Sequence, residues 1–275
     1  ENPETRRNVL RACVLLQATL ERKKPMPRRS RLMHHHDYAA ETLELPEEVA
    51  IPKKNAPSVN SSLRQTALRV PEVTWQCSGI LVFGKKIRSL VFSTDLAIIK
   101  NINADAVVAV YPFTPQPIIN EALLMASDIP VFTGVGGGLT KGHRVVNLAM
   151  YAEMQGAMGV VVNVPTSGLV ISRMRRTIDI PIVVTVANKG TDYRRRIDDG
   201  AAIFNVAAGS ETAEIVAEIR AEFPDMPIMA TGGPSDESIL RTIEAGANAI
   251  TYTPPSTAEL FKHTMERYRM GLPYE

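Results

Sequence analysis

The chain has 275 residues, 45% apolar and 22% charged, with 31 basic against 29 acidic side chains and a formal net charge of +2. That length suits one large domain or two small ones, and the composition excludes a disordered or fibrous chain. The balanced charge gives no global drive toward nucleic acid or an acidic membrane, and no apolar run approaches the ~18 residues of a membrane-spanning helix.

Cys13 and Cys77 are the only cysteines and form no CxxC pair. They cannot build a disulfide framework, so a reducing, cytoplasmic setting is expected. Arg6, Arg7, Arg11, Glu21 and Arg22 break any apolar leader core. Thr5 to Glu21, TRRNVLRACVLLQATLE, alternates basic and apolar positions at helical spacing and predicts an amphipathic helix. Arg22–Arg31, RKKPMPRRSR, reads as a solvated loop, with an anion or RNA contact as the sharper alternative. His34, His35 and His36 beside Asp37 include metal-ligand types, but adjacent residues do not readily face one ion, so no metal site is expected. Val70–Phe83, VPEVTWQCSGILVF, reads as extended, and FGKKI can close a hairpin. Residues 1–85 are therefore expected to form a helical and extended N-terminal extension on one end or side of the domain that follows. Its amphipathic part is also a candidate homo-oligomer interface.

From residue 86 to 275 one unit recurs: a short Val/Ile-rich run, a polar or glycine-rich end, then a helix-period stretch. The runs are SLVFSTD (89–95), AVVAVYP (106–112), PVFTGVG (130–136), GVVVNVP (159–165), PIVVTVA (181–187), AIFNVAA (202–208), PIMATGG (227–233) and AITYTPP (249–255). Each is apolar on both faces, which suits strands of a parallel sheet covered on both sides. In TAEIVAEIRAEF, Ile215, Val216, Ile219 and Phe223 share one helical face. Eight such βα units predict an α/β fold, a closed (β/α)8 TIM barrel, with an open doubly wound sheet as the structural alternative. The first unit is the shortest, so its helix is expected to be brief.

In a barrel of this kind function gathers on the loops at the C-terminal ends of the strands. The first strand ends in Asp95, which can serve as a general base or simply cap the next helix. The stretch TGVGGGLTKGH after the third strand fits neither a P-loop nor a dinucleotide-binding turn, since His143 and Leu139 occupy required positions. It reads as a wall or lid over the mouth, with Lys141 and His143 as its chemical contribution. Asn163 and Asn205 stand at matching places in the fourth and sixth strands. They can orient hydroxyls or a carbonyl oxygen, or bond to backbone. Thr185 ends the fifth strand, and Lys189 in the loop beyond can neutralise an oxyanion or stay solvated. No lysine lies inside a strand, which argues against Schiff-base aldolase chemistry.

The seventh strand ends ATGGPSDES and the eighth TYTPPSTAEL. Gly232 and Gly233 permit close backbone approach, and Ser235 or Asp236, and Ser256 or Thr257, can begin helices whose free amides attract an anion. The run MATGGPSDESILRTIEAGANAI (229–250) resembles the phosphate-binding TIM barrels, the group of ribulose-phosphate-binding and flavin-dependent barrels. The resemblance covers residues 87–270 as architecture and the last quarter as motif. It departs from the group where YTPPS replaces the glycine that often follows the eighth strand. It implies a phosphate held by Gly232, Gly233, Ser235, Thr253 and Ser256. The leading expectation is an enzyme of lyase, isomerase or epimerase type on a small phosphorylated metabolite, with Asp95 as acid/base. The alternatives are an FMN-binding barrel and a non-catalytic, metabolite-sensing RNA regulator; hydrolysis stays open.

Overall fold

The computed structural model describes residues 57, 59 and 68–272. The expected helix Thr5–Glu21, the basic run Arg22–Arg31, the histidine triplet and Cys13 lie outside the described residues.

A 3-10 turn, Glu72–Gln76, leads into an antiparallel hairpin of β1 (Ile80–Val82) and β2 (Lys85–Ile87). Its two-residue turn, Phe83–Gly84, has positive φ at both positions (47° and 78°), as a tight hairpin of this hand requires. The barrel strands follow: β3 (Ser89–Phe92), β4 (Ala106–Ala109), β5 (Val131–Gly136), β6 (Gly159–Val162), β7 (Ile182–Val186), β8 (Ile203–Val206), β9 (Ile228–Thr231) and β10 (Ala249–Tyr252). Each leads to a helix: α1 (Leu96–Lys100), α2 (Pro117–Ala126), α3 (His143–Met154), α4 (Gly168–Arg175), α5 (Tyr193–Asp199), α6 (Thr212–Glu222), α7 (Asp236–Glu244) and α8 (Thr257–Arg269). The strands pair in chain order, all parallel, and β10 pairs with β3 to close the ring. All eight expected runs are strands, and α1, with five residues, is the brief first helix.

Strand alternation divides the apolar side chains into two sets. One set lines the lumen: Leu90, Val108, Phe132, Val161, Val183, Ile203, Met229 and Ala249 pack as one cluster. The other packs outward against the helices, as Val160, Val184, Phe204, Ile228 and Ile250 do with Val145, Ile171, Ile215 and Ile239. A Cβ on Gly159 would come within 2.8 Å of the Phe132 ring, so glycine at the start of β6 makes room for that ring.

Ile80, Val82 and Ile87 of the hairpin belong to the lumen cluster. Because Ile87 runs almost directly into β3, the hairpin seals the N-terminal end of the barrel. Residues 70–87 thus form part of the barrel's own compact unit. Polar groups fix the seam beside it. Asp105 Oδ2 accepts from the backbone amides of Arg88 (2.7 Å) and Ser89 (3.0 Å), tying β3 to the start of β4. Arg220 on α6 donates to Gly246 O (2.8 Å) and Asn248 Oδ1 (2.7 Å), and Asn248 Nδ2 donates to Ser78 Oγ (2.9 Å).

Candidate active site at the barrel mouth

The positions two residues beyond the lumen core form the layer that faces the C-terminal mouth. Around the ring these are Phe92, Val110, Gly134, Asn163, Thr185, Asn205, Thr231 and Thr251. The layer is divided: β3–β5 contribute apolar groups and a glycine, whereas β7–β10 contribute three hydroxyls and an amide. Asn205 Nδ2 reaches Thr185 Oγ1 at 3.4 Å, and Asn205 Oδ1 is buried without a partner. Thr251 is 6% exposed and its Oγ1 is likewise unpartnered. A buried polar atom left without a hydrogen bond costs about 1–3 kcal/mol. The mouth layer therefore holds unfilled hydrogen-bonding capacity, which a ligand hydroxyl or amide can satisfy.

Asn163 and Asn205 do occupy matching places, two residues past Val161 and Ile203. Asn205 lies within β8, while Asn163 stands one residue beyond β6 and is exposed. Asn163 lines a small cavity of about 90 Å³ with Val110, Tyr111, Phe113, Gly136 and Gly138. Tyr111 Oη accepts from Gln116 N (2.8 Å), which pins the proline-rich loop forming one wall.

Asp95 acts as the N-cap of α1. Its Oδ1 accepts from the amides of Ala97 (2.8 Å) and Ile98 (3.4 Å), and its Oδ2 accepts from Thr257 Oγ1 at the start of α8. The Thr257 hydrogen bond, reinforced by the two amides, lowers the Asp95 pKa below the ordinary carboxylate value. Both oxygens are thus engaged, and a carboxylate of lowered pKa is a weaker base.

Lys189 pairs with Glu211 (3.2 Å) and Glu214 (2.5 Å) at the start of α6. The hydrogen bond to Glu214, then that to Glu211, raises its pKa. Lys141 and His143 are exposed where α3 begins, and Gly142, with φ of 63°, is the N-cap of that helix. Cys77 is buried, and desolvation raises its thiol to about 11, far from a reactive thiolate.

Gly232 is buried, and a Cβ there would come within 2.6 Å of Ile239 and 3.0 Å of Ile250. Gly233 turns with φ of 87°. The helices that follow are capped from within. Ser235 and Ser238 form a capping box on α7, and Ser256 and Glu259 form one on α8. Asp236 and Glu237 add negative charge to the first turn of α7. Thr253 is exposed beyond β10. Gly232, Gly233, Ser235, Thr253 and Ser256 do not line the cavity of about 90 Å³ beside Asn163.

Thr231 and Thr251 were not singled out in the sequence, although a signal was present. They follow Met229 and Ala249 by two residues, as Asn205 follows Ile203, so one alternation rule places all three in the same layer.

No protein-family model and no curated protein matches the chain. Among solved structures it is similar to the phosphoenolpyruvate phosphomutase of Streptomyces platensis subsp. rosaceus, with TM-score 0.53 and 12% identity over 66% of this chain and 81% of that one. It is similar to mandelate oxidase, with TM-score 0.53 and 15% identity over 64% and 68% of the two chains. It is also similar to phosphonopyruvate hydrolase in complex with oxalate and Mg++, with TM-score 0.52 and 11% identity over 70% and 86%. A mutase, an oxidase and a hydrolase stand at nearly the same distance, so the likeness is one of fold and does not select a reaction. What it establishes is that the chain is a (β/α)8 barrel.

Proposed function

We propose that this chain is an enzyme of lyase or isomerase type acting on a small acid, phosphorylated in the form the sequence suggests, with its reacting end in the barrel mouth. The observation that carries the reading is the neutral polar arc of Thr185, Asn205, Thr231 and Thr251, with Asn205 Oδ1 and Thr251 Oγ1 buried and unpartnered. Amides and hydroxyls of this kind orient a carbonyl or hydroxyl oxygen without fixing a charge, and they lie at the end of the barrel where such enzymes work. The small acids named with the similar structures, oxalate among them, give the reading chemical company.

In this reading Asn205 Oδ1 accepts from a ligand hydroxyl, Thr251 Oγ1 donates to a ligand oxygen, and Asn163 approaches from the opposite rim. Asp95 is kept as an acid/base candidate at the rim. Asp95→Asn tests it cleanly, because asparagine still caps a helix; retained turnover removes Asp95 from the mechanism. The reading as a whole is tested by screening the purified full chain against small acids, with and without a phosphate, for binding and turnover. A ligand found this way should lose at least tenfold in affinity on Asn205→Leu while the circular dichroism of the fold is kept. Unchanged binding and turnover in that variant would place the chemistry elsewhere.

A further inference from the structure

The starts of α3 and α4 differ electrostatically from those of α7 and α8. Lys141, His143 and Arg144 cluster at the start of α3, whose first turn contains no acid and whose N-cap, Gly142, has no capping side chain. The first turn of α4 also contains no acid, and its N-cap, Ser167, makes no side-chain cap. The positive end of the α3 dipole is therefore left open, whereas the Asp199 carboxylate stands beside Gly168 at the start of α4 and accepts from Ser172 Oγ; basic residues at a helix N-terminus are unfavourable unless an anion joins them. On α7 and α8 the same positions hold capping boxes and acids.

Between these two helix starts lies a cavity of about 120 Å³, lined by Gly137, Thr140, Lys141, Gly142, Thr166 and Ser167 among others. That is room for about four waters at ~30 Å³ each, or for one tetrahedral oxyanion. Two of its lining residues supply the independent sign of a ligand. Thr140 and Thr166 are 4% and 5% exposed, and the Oγ1 of each is buried without a hydrogen-bond partner. Gly137 contributes to this arrangement. Its φ is 98°, and a Cβ there would stand 2.5 Å from Thr166 Oγ1. The opposite side of the Thr166 loop is clamped by Arg196, which donates to Thr166 O (2.6 Å) and Val164 O (3.1 Å). With its carbonyls held by Arg196, the loop fixes the position of Thr166. Lys141 has no acidic partner among the described residues. Asp199, with Arg195 and Arg196, lines an adjoining cavity that shares Thr166 and Ser167 with this one.

We propose that this cavity is a phosphate-binding site, formed by the hydroxyls of Thr140 and Thr166, the Lys141 ammonium and the open amides at the start of α3. It concerns binding alone and requires no turnover, so it stands or falls separately from the reading of the mouth.

The test is thermal unfolding of the full chain in inorganic phosphate against chloride at equal ionic strength, with 31P NMR titration as the direct readout. The wild type should gain Tm with phosphate. Lys141→Ala, an exposed change, and the double variant Thr140→Val/Thr166→Val, which removes only the hydroxyls, should each weaken phosphate about tenfold or more. Asn205→Leu, Ser235→Ala and Ser256→Ala should leave phosphate binding unchanged. Glycerol 3-phosphate as a second probe separates the sources: tighter binding than inorganic phosphate marks a ligand's phosphate group, and weaker binding marks the free ion. A wild type indifferent to phosphate, or binding that survives Lys141→Ala and is lost instead in Ser235→Ala or Ser256→Ala, overturns the proposal. If the double threonine variant does not fold, Lys141→Ala alone decides.

Discussion

Asp95 shows how one side chain can carry two readings of the same sequence, of which its neighbours realise the cap. STDLAII places an acid both at a strand end and before a helix, and the carboxylate caps α1 while accepting from Thr257. Its lowered pKa has a consequence for stability. A carboxylate whose folded pKa is depressed stabilises fully above its unfolded value of ~3.9, and that contribution is lost as pH falls through the lower folded value. Asp95→Ala is thus expected to cost about 1 kcal/mol at neutral pH, the usual worth of an N-cap. The Tm gap between wild type and variant should close as pH drops below ~4. A gap that stays constant down to pH 2 would show that the charge plays no part.

At the scale of elements, the hairpin is the clearest case of a segment whose role its own sequence left open. The extended run ending in ILVF and the turn in FGKKI predict the ribbon, but its placement depends on Ile80, Val82 and Ile87 meeting eight strands that come later in the chain. Ile87 is 1% exposed at the sealed end of the lumen. Ile87→Ala is expected to destabilise by about 2–5 kcal/mol, read as a lower denaturation midpoint with an unchanged m-value. Leu81, on the same hairpin but exposed, should tolerate alanine within ~0.5 kcal/mol. The helix starts teach a related lesson. SxxS and SxxE before α7 and α8 are legible as capping motifs, and the structure realises both as boxes. The absence of such motifs before α3 and α4 is equally legible, but only the cavity between them gives that absence a use.

For the molecule as a whole, closure joins β10 to β3, strands about 160 residues apart in sequence. Thr257 donating to Asp95 spans that junction on the mouth side. A double-mutant cycle with Asp95→Asn and Thr257→Val should give a coupling of about 1 kcal/mol, whereas Asp95→Asn with Leu81→Ala, at the opposite end of the barrel, should be additive within ~0.5 kcal/mol. Additivity in both cycles would show that the closing contact contributes nothing beyond strand pairing.

By itself the sequence determined the elements and their number. Short β-branched runs bounded by glycine and proline, each followed by a helix-period stretch, are local patterns, and local sterics and burial on both faces enforce them. Alternation inside each run also decides which side chain can face the lumen, which is why Asn163 and Asn205 were legible as a pair. Only the tertiary structure decided which polar atoms are left without partners. Thr251 and Asn205 lie 46 positions apart in sequence, and Thr140 and Thr166 lie 26 apart. Whether each hydroxyl or amide is satisfied depends on neighbours brought by other strands, and no spacing rule within one segment records that. The glycine-rich stretch 133–143 likewise takes its meaning from the loop packed against it, because the room that Gly137 leaves is room for Thr166.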